Sequence, residues 1–122
     1  MSTVKLTAST FEQTVRGNTI VLVDFWAAWC GPCRMFAPVY EKASEQHPDV
    51  VFGKVDTEAE QALAAQADIT SIPTLMAFRE NVLVFSQPGA LPAASLEQVI
   101  SGVQELDMDD VRAQIAAQQP VS

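Results

Sequence analysis

The chain holds two cysteines, Cys30 and Cys33, separated only by Gly31 and Pro32. They follow directly after an apolar run over 20–26, and the N-terminus lacks the charged start and apolar core of an export signal. A disulfide between them would close a loop too short to restrict the unfolded chain much, because the entropy that a crosslink removes falls with loop length. In a reducing compartment this spacing indicates redox chemistry, in which a dithiol and a disulfide interconvert.

The position of each cysteine predicts its role. A thiol attacks a disulfide only as its thiolate, so the attacking cysteine needs surroundings that stabilise negative charge. Cys30 lies where a predicted strand has ended and a helix is about to begin, and the unpaired N–H groups of a first helical turn favour an anion. Pro32 fixes its own φ at about −65°, which suits that turn. We therefore predict Cys30 as the nucleophile and Cys33, one turn into the helix, as the resolving thiol.

A carboxylate inside the apolar run is a further candidate for chemistry. Burial raises the pKa of a carboxyl towards the range that is useful for proton transfer, which makes Asp24 a candidate base for the resolving step. The alternative is that Asp24 lies at a strand edge, where water satisfies it. Lys54, on the next predicted strand, either pairs with Asp24 or extends its amine to solvent.

The elements that must position these residues follow from apolar periodicity. The pattern predicts strands over 4–6, 20–26, 50–56, 74–78 and 82–85, and helices over 8–16, 34–47, 58–67 and 92–104. Strand and helix alternate in the first half, which implies parallel strands, whereas the last two strands are close enough in sequence to pair as an antiparallel hairpin. The fold class is therefore α/β with a mixed sheet.

Local signals refine three of the helices. Thr7 is the predicted cap of the first helix, and Thr57 with Glu60 resembles a capping box before the third. Pro38 lies inside the second helical pattern and predicts a kink there. His47, at the end of that helix, is expected to interact with the helix dipole, and a catalytic pairing with a cysteine is the less favoured alternative.

Composition narrows the class of protein. A length of 122 residues is typical of a single domain. The formal charge of −8 argues against a surface that binds nucleic acid or an anionic membrane, because both need clustered Lys and Arg. No stretch approaches the roughly 20 apolar residues of a membrane span. We expect a cytoplasmic protein that binds neither nucleic acid nor membrane.

The segment 23–33, Val-Asp-Phe-Trp-Ala-Ala-Trp-Cys-Gly-Pro-Cys, resembles the active-site stretch of the thioredoxin family, and Ile72-Pro73-Thr74 matches its second signature. The resemblance covers roughly residues 3 to 104. It implies the thioredoxin fold, a central mixed parallel and antiparallel sheet with helices on both faces. Further positions also agree with the family pattern: Pro38, Lys54, Asp56 and Gly89.

The same resemblance implies roles for named residues. Cys30 would be the nucleophile, Cys33 the resolving thiol and Asp24 the buried base, with Lys54 also in the catalytic set. Pro73 would be a cis-proline packed against the dithiol. The residues expected to bind substrate are Trp29, Gly31, Pro32, Ile72 and Gly89.

The implied activity is that of a protein dithiol–disulfide oxidoreductase that reduces disulfides in cytosolic proteins and so serves electron transport and cell redox homeostasis. The chemistry would need no bound cofactor or metal beyond the redox-active Cys30–Cys33 disulfide. The expected partners are disulfide-containing proteins and a flavin- and NADPH-dependent thioredoxin reductase, and the expected state is a monomer. The alternatives are a disulfide oxidant or isomerase and a redox-independent scaffold subunit. A zinc site would require a dimer that shares ligands, since four are needed.

The chain departs from the family pattern at two places. The turn after the fourth strand lacks the usual glycine, so Asn81 is expected to adopt a positive φ. Residues 1–106 are predicted as the thioredoxin domain and 107–122 as an extension, either a short helix or a frayed tail. In that extension Met108, Val111 and Ile115 have helical spacing behind a possible Asp107 cap, and Pro120 would end the helix.

Overall fold

The computed structural model describes residues 2–118. Within these residues, five strands and four helices follow the order that the sequence predicts, and a fifth helix follows at the end. Their bounds are β1 Thr3–Lys5, α1 Phe11–Gly17, β2 Ile20–Trp26, α2 Gly31–Gln46, β3 Val51–Asp56, α3 Gln61–Gln66, β4 Thr74–Arg79, β5 Val82–Pro88, α4 Ala93–Gln104 and α5 Met108–Gln118.

The strands form one mixed sheet in the order β1-β3-β2-β4-β5. Strand β3 pairs in parallel with both β1 and β2, whereas β4 is antiparallel to β2 and β5 is antiparallel to β4. This arrangement confirms the predicted mixed sheet. It also places β2, the strand that leads into the two cysteines, at the centre.

Side chains alternate between the two faces of β2, and both faces are covered. Leu22 belongs to a cluster with α2 and α4, while Val21 and Val23 belong to a second cluster with α1 and α3. Because successive residues of a strand point to opposite faces, Asp24 lies on the face of Leu22, beneath α2. The helices on both faces of the sheet are as predicted.

The first helix starts later than its sequence suggests. The Thr7 amide donates to Thr10 Oγ1 at 2.9 Å, and the Thr10 amide donates to the Thr7 carbonyl at 3.1 Å. These bonds form a turn, so α1 begins at Phe11 and the predicted Thr7 cap is wrong. Threonine hydroxyls compete with the helix by bonding to nearby backbone groups.

The predicted capping box before α3 is also wrong. Thr57 Oγ1 donates to the Trp26 carbonyl at 3.0 Å, and Glu60 Oε1 accepts from the amide of Ala8 at 2.7 Å. Both side chains therefore serve contacts with distant segments, and α3 begins only at Gln61.

The β4–β5 turn has the expected positive φ at one residue and a second positive φ at the residue before it. Asn81 has a φ of 66°, which confirms the prediction, and Glu80 has a φ of 51°. Two successive positive φ values are typical of the two-residue turns that suit the twist of a hairpin.

The extension forms a helix that is attached to the sheet. Asp107 Oδ1 accepts from the amides of Asp109 and Asp110 at 3.1 and 3.3 Å, which confirms the predicted cap. The side chain of Met108 is 4% exposed, and Arg112 donates to Glu80 in the β4–β5 turn at 2.9 Å. The predicted stop at Pro120 lies outside the described residues.

Arg79 ties the end of β4 to the segment that precedes α5. Its Nη1 donates to the carbonyls of Val103, Gln104 and Leu106 at 2.9, 3.1 and 2.6 Å. A guanidinium at a helix C-terminus satisfies carbonyls that have no partner within the helix. The α4–α5 junction is therefore held against the sheet.

These contacts predict that α5 contributes to stability. We expect Met108→Ala to lower the free energy of unfolding by about 2–4 kcal/mol, the usual cost of truncating a buried methionine. Ile115→Ala is the matched control, because Ile115 is 38% exposed and should cost less than about 1 kcal/mol. Urea unfolding measures both values. Equal small losses would indicate that α5 does not pack on the domain in solution.

Candidate active site

The two cysteines lie at the N-terminus of α2 and are joined by a disulfide. Cys30 is the N-cap residue, with an extended backbone, and its Sγ accepts a hydrogen bond from the Cys33 amide at 3.2 Å. Gly31 and Pro32 form the first turn. The Cys30 sulfur thus occupies the place of a helix N-cap acceptor, where the unpaired amides and the helix dipole favour a thiolate.

The second predicted signature lies beside this disulfide. The Ile72–Pro73 peptide bond is cis, as the resemblance implies. The carbonyl of Ile72 is 3.7 Å from Cys30 Sγ, and the carbonyl of Pro73 accepts from the Gly89 amide at 2.7 Å. Gly89 has a φ of 102°, a conformation that favours glycine. The fold therefore brings Ile72 next to Cys30 and Gly89 next to Pro73.

A groove of about 450 Å³ opens beside the disulfide. Trp29 is 67% exposed on its wall, whereas both cysteines are nearly buried. Pro73 and Gly89 are not among its lining residues. The lining residues are Trp29, Cys30, Gly31, Pro32, Thr57, Ala64, Ile69, Thr70, Ser71 and Ile72.

One contact at this groove was missed in the sequence. Glu58 Oε1 accepts a hydrogen bond from Trp29 Nε1 at 2.7 Å. The sequence did contain a signal for this contact, because the carboxyl ends of two neighbouring parallel strands, here β2 and β3, lie at the same edge of the sheet. Residues that follow β3, such as Thr57 and Glu58, must therefore lie beside those that follow β2.

Asp24 is fully buried at the centre of the sheet, so the strand-edge alternative is wrong. Among the described residues, neither of its carboxylate oxygens has a hydrogen-bond partner. Burial raises the pKa of Asp24 from its ordinary 3.8 to about 7, and the nearby charge of Lys54 opposes that rise. A carboxyl that titrates near neutral pH is suited to accept and return a proton.

Of the two alternatives for Lys54, the structure contradicts a direct ion pair with Asp24. Lys54 is the register partner of Asp24 on β3, yet within residues 2–118 the two form no ion pair at 4.0 Å or less. Its Nζ lies 5.0 Å from the ring centroid of Trp26, in a cation–π contact. Trp26 in turn packs against the buried cluster of Ala27, Cys30 and Cys33. Lys54 therefore adds positive charge near the site without neutralising Asp24.

Tyr40 is the residue of α2 whose side chain shows that Asp24 lies beneath this helix. Its hydroxyl donates to the Gly53 carbonyl at 2.8 Å, and its pKa is raised by burial and by the Asp24 charge. Because Tyr40 and Cys33 belong to the same helix, the carboxylate lies under the helix that carries Cys33.

His47 lies at the other end of α2, where it is the C-cap residue as predicted. Its Nε2 is 2.7 Å from Glu97 Oε2. The 16 residues of α2 separate it from the disulfide by about 24 Å at 1.5 Å per residue. The catalytic cysteine–histidine alternative is therefore wrong.

Within residues 2–118, no group of three or more His, Cys, Asp or Glu side chains is placed to hold a metal ion. None of the helices there combines the length and the apolar character that crossing a membrane requires.

A disulfide in a helix N-cap turn, next to a cis-proline and an exposed groove, defines a thiol–disulfide oxidoreductase. The comparisons with known proteins agree. The thioredoxin family model matches residues 2–102. The Streptomyces coelicolor protein "Putative thioredoxin 2" is 62% identical over 118 residues, which are 97% of this chain and 88% of that protein.

More distant relatives give the same assignment. A thioredoxin from Alicyclobacillus acidocaldarius is 43% identical over 103 residues, 84% of this chain and 98% of that protein. A solved Plasmodium falciparum thioredoxin has a TM-score of 0.76 at 33% identity, with 82% of this chain and 97% of the other covered. The chain belongs to the thioredoxin family. The predicted fold and oxidoreductase activity are confirmed, and neither alternative function receives support from these matches.

Proposed function

We propose that the protein works as a reductant of disulfides in cytosolic proteins, with Cys30 as the nucleophile. The observation that carries this proposal is the Cys30–Cys33 disulfide at the helix N-cap, with Cys30 Sγ accepting the Cys33 amide at 3.2 Å. That environment stabilises the thiolate form of Cys30 once the pair is reduced.

In the first step, the Cys30 thiolate attacks one sulfur of a substrate disulfide. A bond forms between Cys30 Sγ and that sulfur, the substrate S–S bond breaks, and the other substrate sulfur leaves as a thiolate. Trp29, Gly31, Pro32 and Ile72 line the groove in which the substrate chain would lie. Pro73 and Gly89 hold the backbone of the adjoining loop through their 2.7 Å hydrogen bond.

In the second step, Cys33 loses its proton and attacks Cys30 Sγ. The mixed disulfide breaks, the substrate leaves as a second thiol, and the Cys30–Cys33 disulfide is restored with two electrons transferred to the substrate. Asp24 is the proposed base for the Cys33 proton, because it is buried beneath the same helix and has a pKa of about 7. Lys54 is proposed to limit the rise of that pKa.

The cycle requires a source of electrons to reduce the Cys30–Cys33 disulfide. We assign this role to a flavin- and NADPH-dependent thioredoxin reductase, which makes the protein a carrier in electron transport and redox homeostasis. The further proposals are a cytoplasmic location, a monomeric state, no resident cofactor, and a division into a thioredoxin domain over 1–106 and an extension over 107–122.

A redox titration tests the direction of the reaction. The Cys30–Cys33 pair is equilibrated in dithiothreitol buffers of graded potential and followed by the fluorescence of Trp26 and Trp29. We expect a midpoint near or below the cytosolic glutathione poise of about −220 to −320 mV. Cys33→Ser is the control, because it cannot form the intramolecular disulfide. A midpoint well above that range would favour an oxidant or isomerase, and no reversible transition would favour a scaffold.

A further inference from the structure

A carboxylate that is fixed in place lies next to the groove beside the disulfide, where it contacts Trp29 of the groove wall. Glu58 Oε1 is held by Trp29 Nε1 at 2.7 Å, and the Glu58 amide donates to Asp56 Oδ1 at 2.9 Å. Backbone and side chain are thus both anchored. Within residues 2–118 the second carboxylate oxygen, Oε2, has no hydrogen-bond or ion-pair partner, and Glu58 is exposed.

The indole of Trp29 adds a second feature that attracts cations. The ring is 67% exposed, and its N–H is already bound by Glu58, so its remaining exposed surface is available to a partner. An ammonium or guanidinium group is attracted by the face of an indole and by a carboxylate. Arg34, the basic residue nearest to Trp29 along the chain, donates its Nη1 to the Ala28 carbonyl at 2.8 Å. Neither Arg34 nor Lys54 forms an ion pair with Glu58.

We propose that Glu58 is a specificity-determining residue, which with Trp29 favours disulfide substrates that carry Lys or Arg beside the reacting cysteine. This proposal rests on the proposed reduction of protein disulfides. A substrate cysteine that reaches Cys30 must bring its neighbouring residues along the groove wall that Trp29 forms. A basic neighbour would then approach Glu58 Oε2, whereas an acidic one would meet a like charge.

The expected preference is modest because the site is exposed to water. Two unit charges about 5 Å apart in water interact weakly, so an exposed ion pair contributes little free energy. Because Glu58 attracts a Lys neighbour and repels a Glu neighbour, we expect the rates for two such substrates to differ by about three- to tenfold. Salt should reduce the preference, since the Debye length is about 10 Å at 0.1 M ionic strength.

The test uses two disulfide-linked, fluorescence-quenched peptide pairs that differ only in a Lys or a Glu next to one cysteine. The ratio of their kcat/KM values is measured with the full chain, with dithiothreitol as the electron source. The rate with dithiothreitol alone corrects for the intrinsic reactivity of each disulfide. We expect a ratio of about three to ten for the unmodified protein at low salt, falling towards one at high salt.

Two variants distinguish the effect of the Glu58 charge from the effect of the protein's overall negative charge. Glu58→Gln retains a side-chain oxygen for Trp29 Nε1 and should bring the ratio to within about twofold of one. Glu105→Gln removes one negative charge from an exposed residue after α4 and should keep the ratio of the unmodified protein.

Each result decides the proposal. A ratio near one in the unmodified protein, an unchanged ratio in Glu58→Gln, or equal falls in the two variants would overturn the role of Glu58, while reduction of both peptides would leave the proposed function standing. If the unmodified protein reduced neither peptide faster than dithiothreitol alone, the proposed function itself would fail.

Discussion

Cys30→Ser is expected to abolish disulfide reduction, so that the rate falls to the background of the reductant alone. The hydroxyl of serine does not ionise near neutral pH and cannot form a stable mixed bond with the substrate sulfur. The measurement is the reduction of a fluorescence-quenched disulfide peptide with dithiothreitol as the electron source. The variant should remain folded, because serine is similar in size to the cysteine that it replaces.

Cys33→Ser is the matched variant and should behave differently. Cys30 is still able to attack, but nothing resolves the product, so a covalent complex with the substrate should accumulate. Mass spectrometry under non-reducing conditions detects that complex. Turnover that survives in Cys30→Ser, or mixed disulfides formed on Cys33 in that variant, would contradict the proposed order of attack.

Asp24→Asn is expected to stabilise the oxidised protein by about 4 kcal/mol at pH 8. Burial raises the pKa of Asp24 from 3.8 to about 7, and each pKa unit corresponds to about 1.4 kcal/mol of preference for the neutral form. Between these two values the folded chain holds more protons at this site than the unfolded chain does. The free energy of unfolding therefore falls as the pH rises through that range.

Urea unfolding of the two proteins across pH 4 to 9 tests this expectation. The difference between Asp24→Asn and the unmodified protein should grow from about pH 4 to 7 and level off above that range. Glu105→Gln, which removes a negative charge at an exposed residue, should show no such growth. A constant difference across the range would mean that Asp24 does not titrate with a raised pKa.

The same variant tests the catalytic role that we assign to Asp24. Without the carboxylate, Cys33 loses its base, so the mixed disulfide should persist longer while the first attack by Cys30 proceeds. Stopped-flow fluorescence of Trp29 after mixing with substrate distinguishes the two phases. Slowing of the first phase alone would argue against this assignment.

Local patterns predicted most of the elements but not where helices begin. The apolar run Ile20–Trp26 is a strand with the predicted bounds, because continuous hydrophobicity is typical of a strand buried on both faces. The predicted caps were wrong at Thr7, whose hydroxyl bonds to that of Ser9, and at Thr57, whose hydroxyl donates to the Trp26 carbonyl. Where a helix begins depends on which group the threonine hydroxyl bonds to. A carbonyl that is distant in sequence, such as that of Trp26, cannot be identified from the neighbouring residues alone.

The chemistry of the site could be inferred from the sequence because it depends on short spacings. Two cysteines separated by Gly-Pro at a strand-to-helix junction determine that a thiolate sits in a helix N-cap turn, whatever surrounds it. The resemblance to the thioredoxin family added the second signature at Pro73 and the expected family of substrates.

Only the tertiary structure decided how charged groups are arranged around that dithiol. Lys54 lies over Trp26 rather than against Asp24, and Glu58 binds Trp29 across 29 residues of chain. Such contacts depend on the register of β2 against β3 and on how deeply each side chain is buried. The sequence by itself determined the dithiol and its place before a helix, because both follow from residue type and local backbone. The pKa of Asp24 and the charge beside Trp29 follow from long-range packing, because burial and the distance between charges are set only when the sheet has formed.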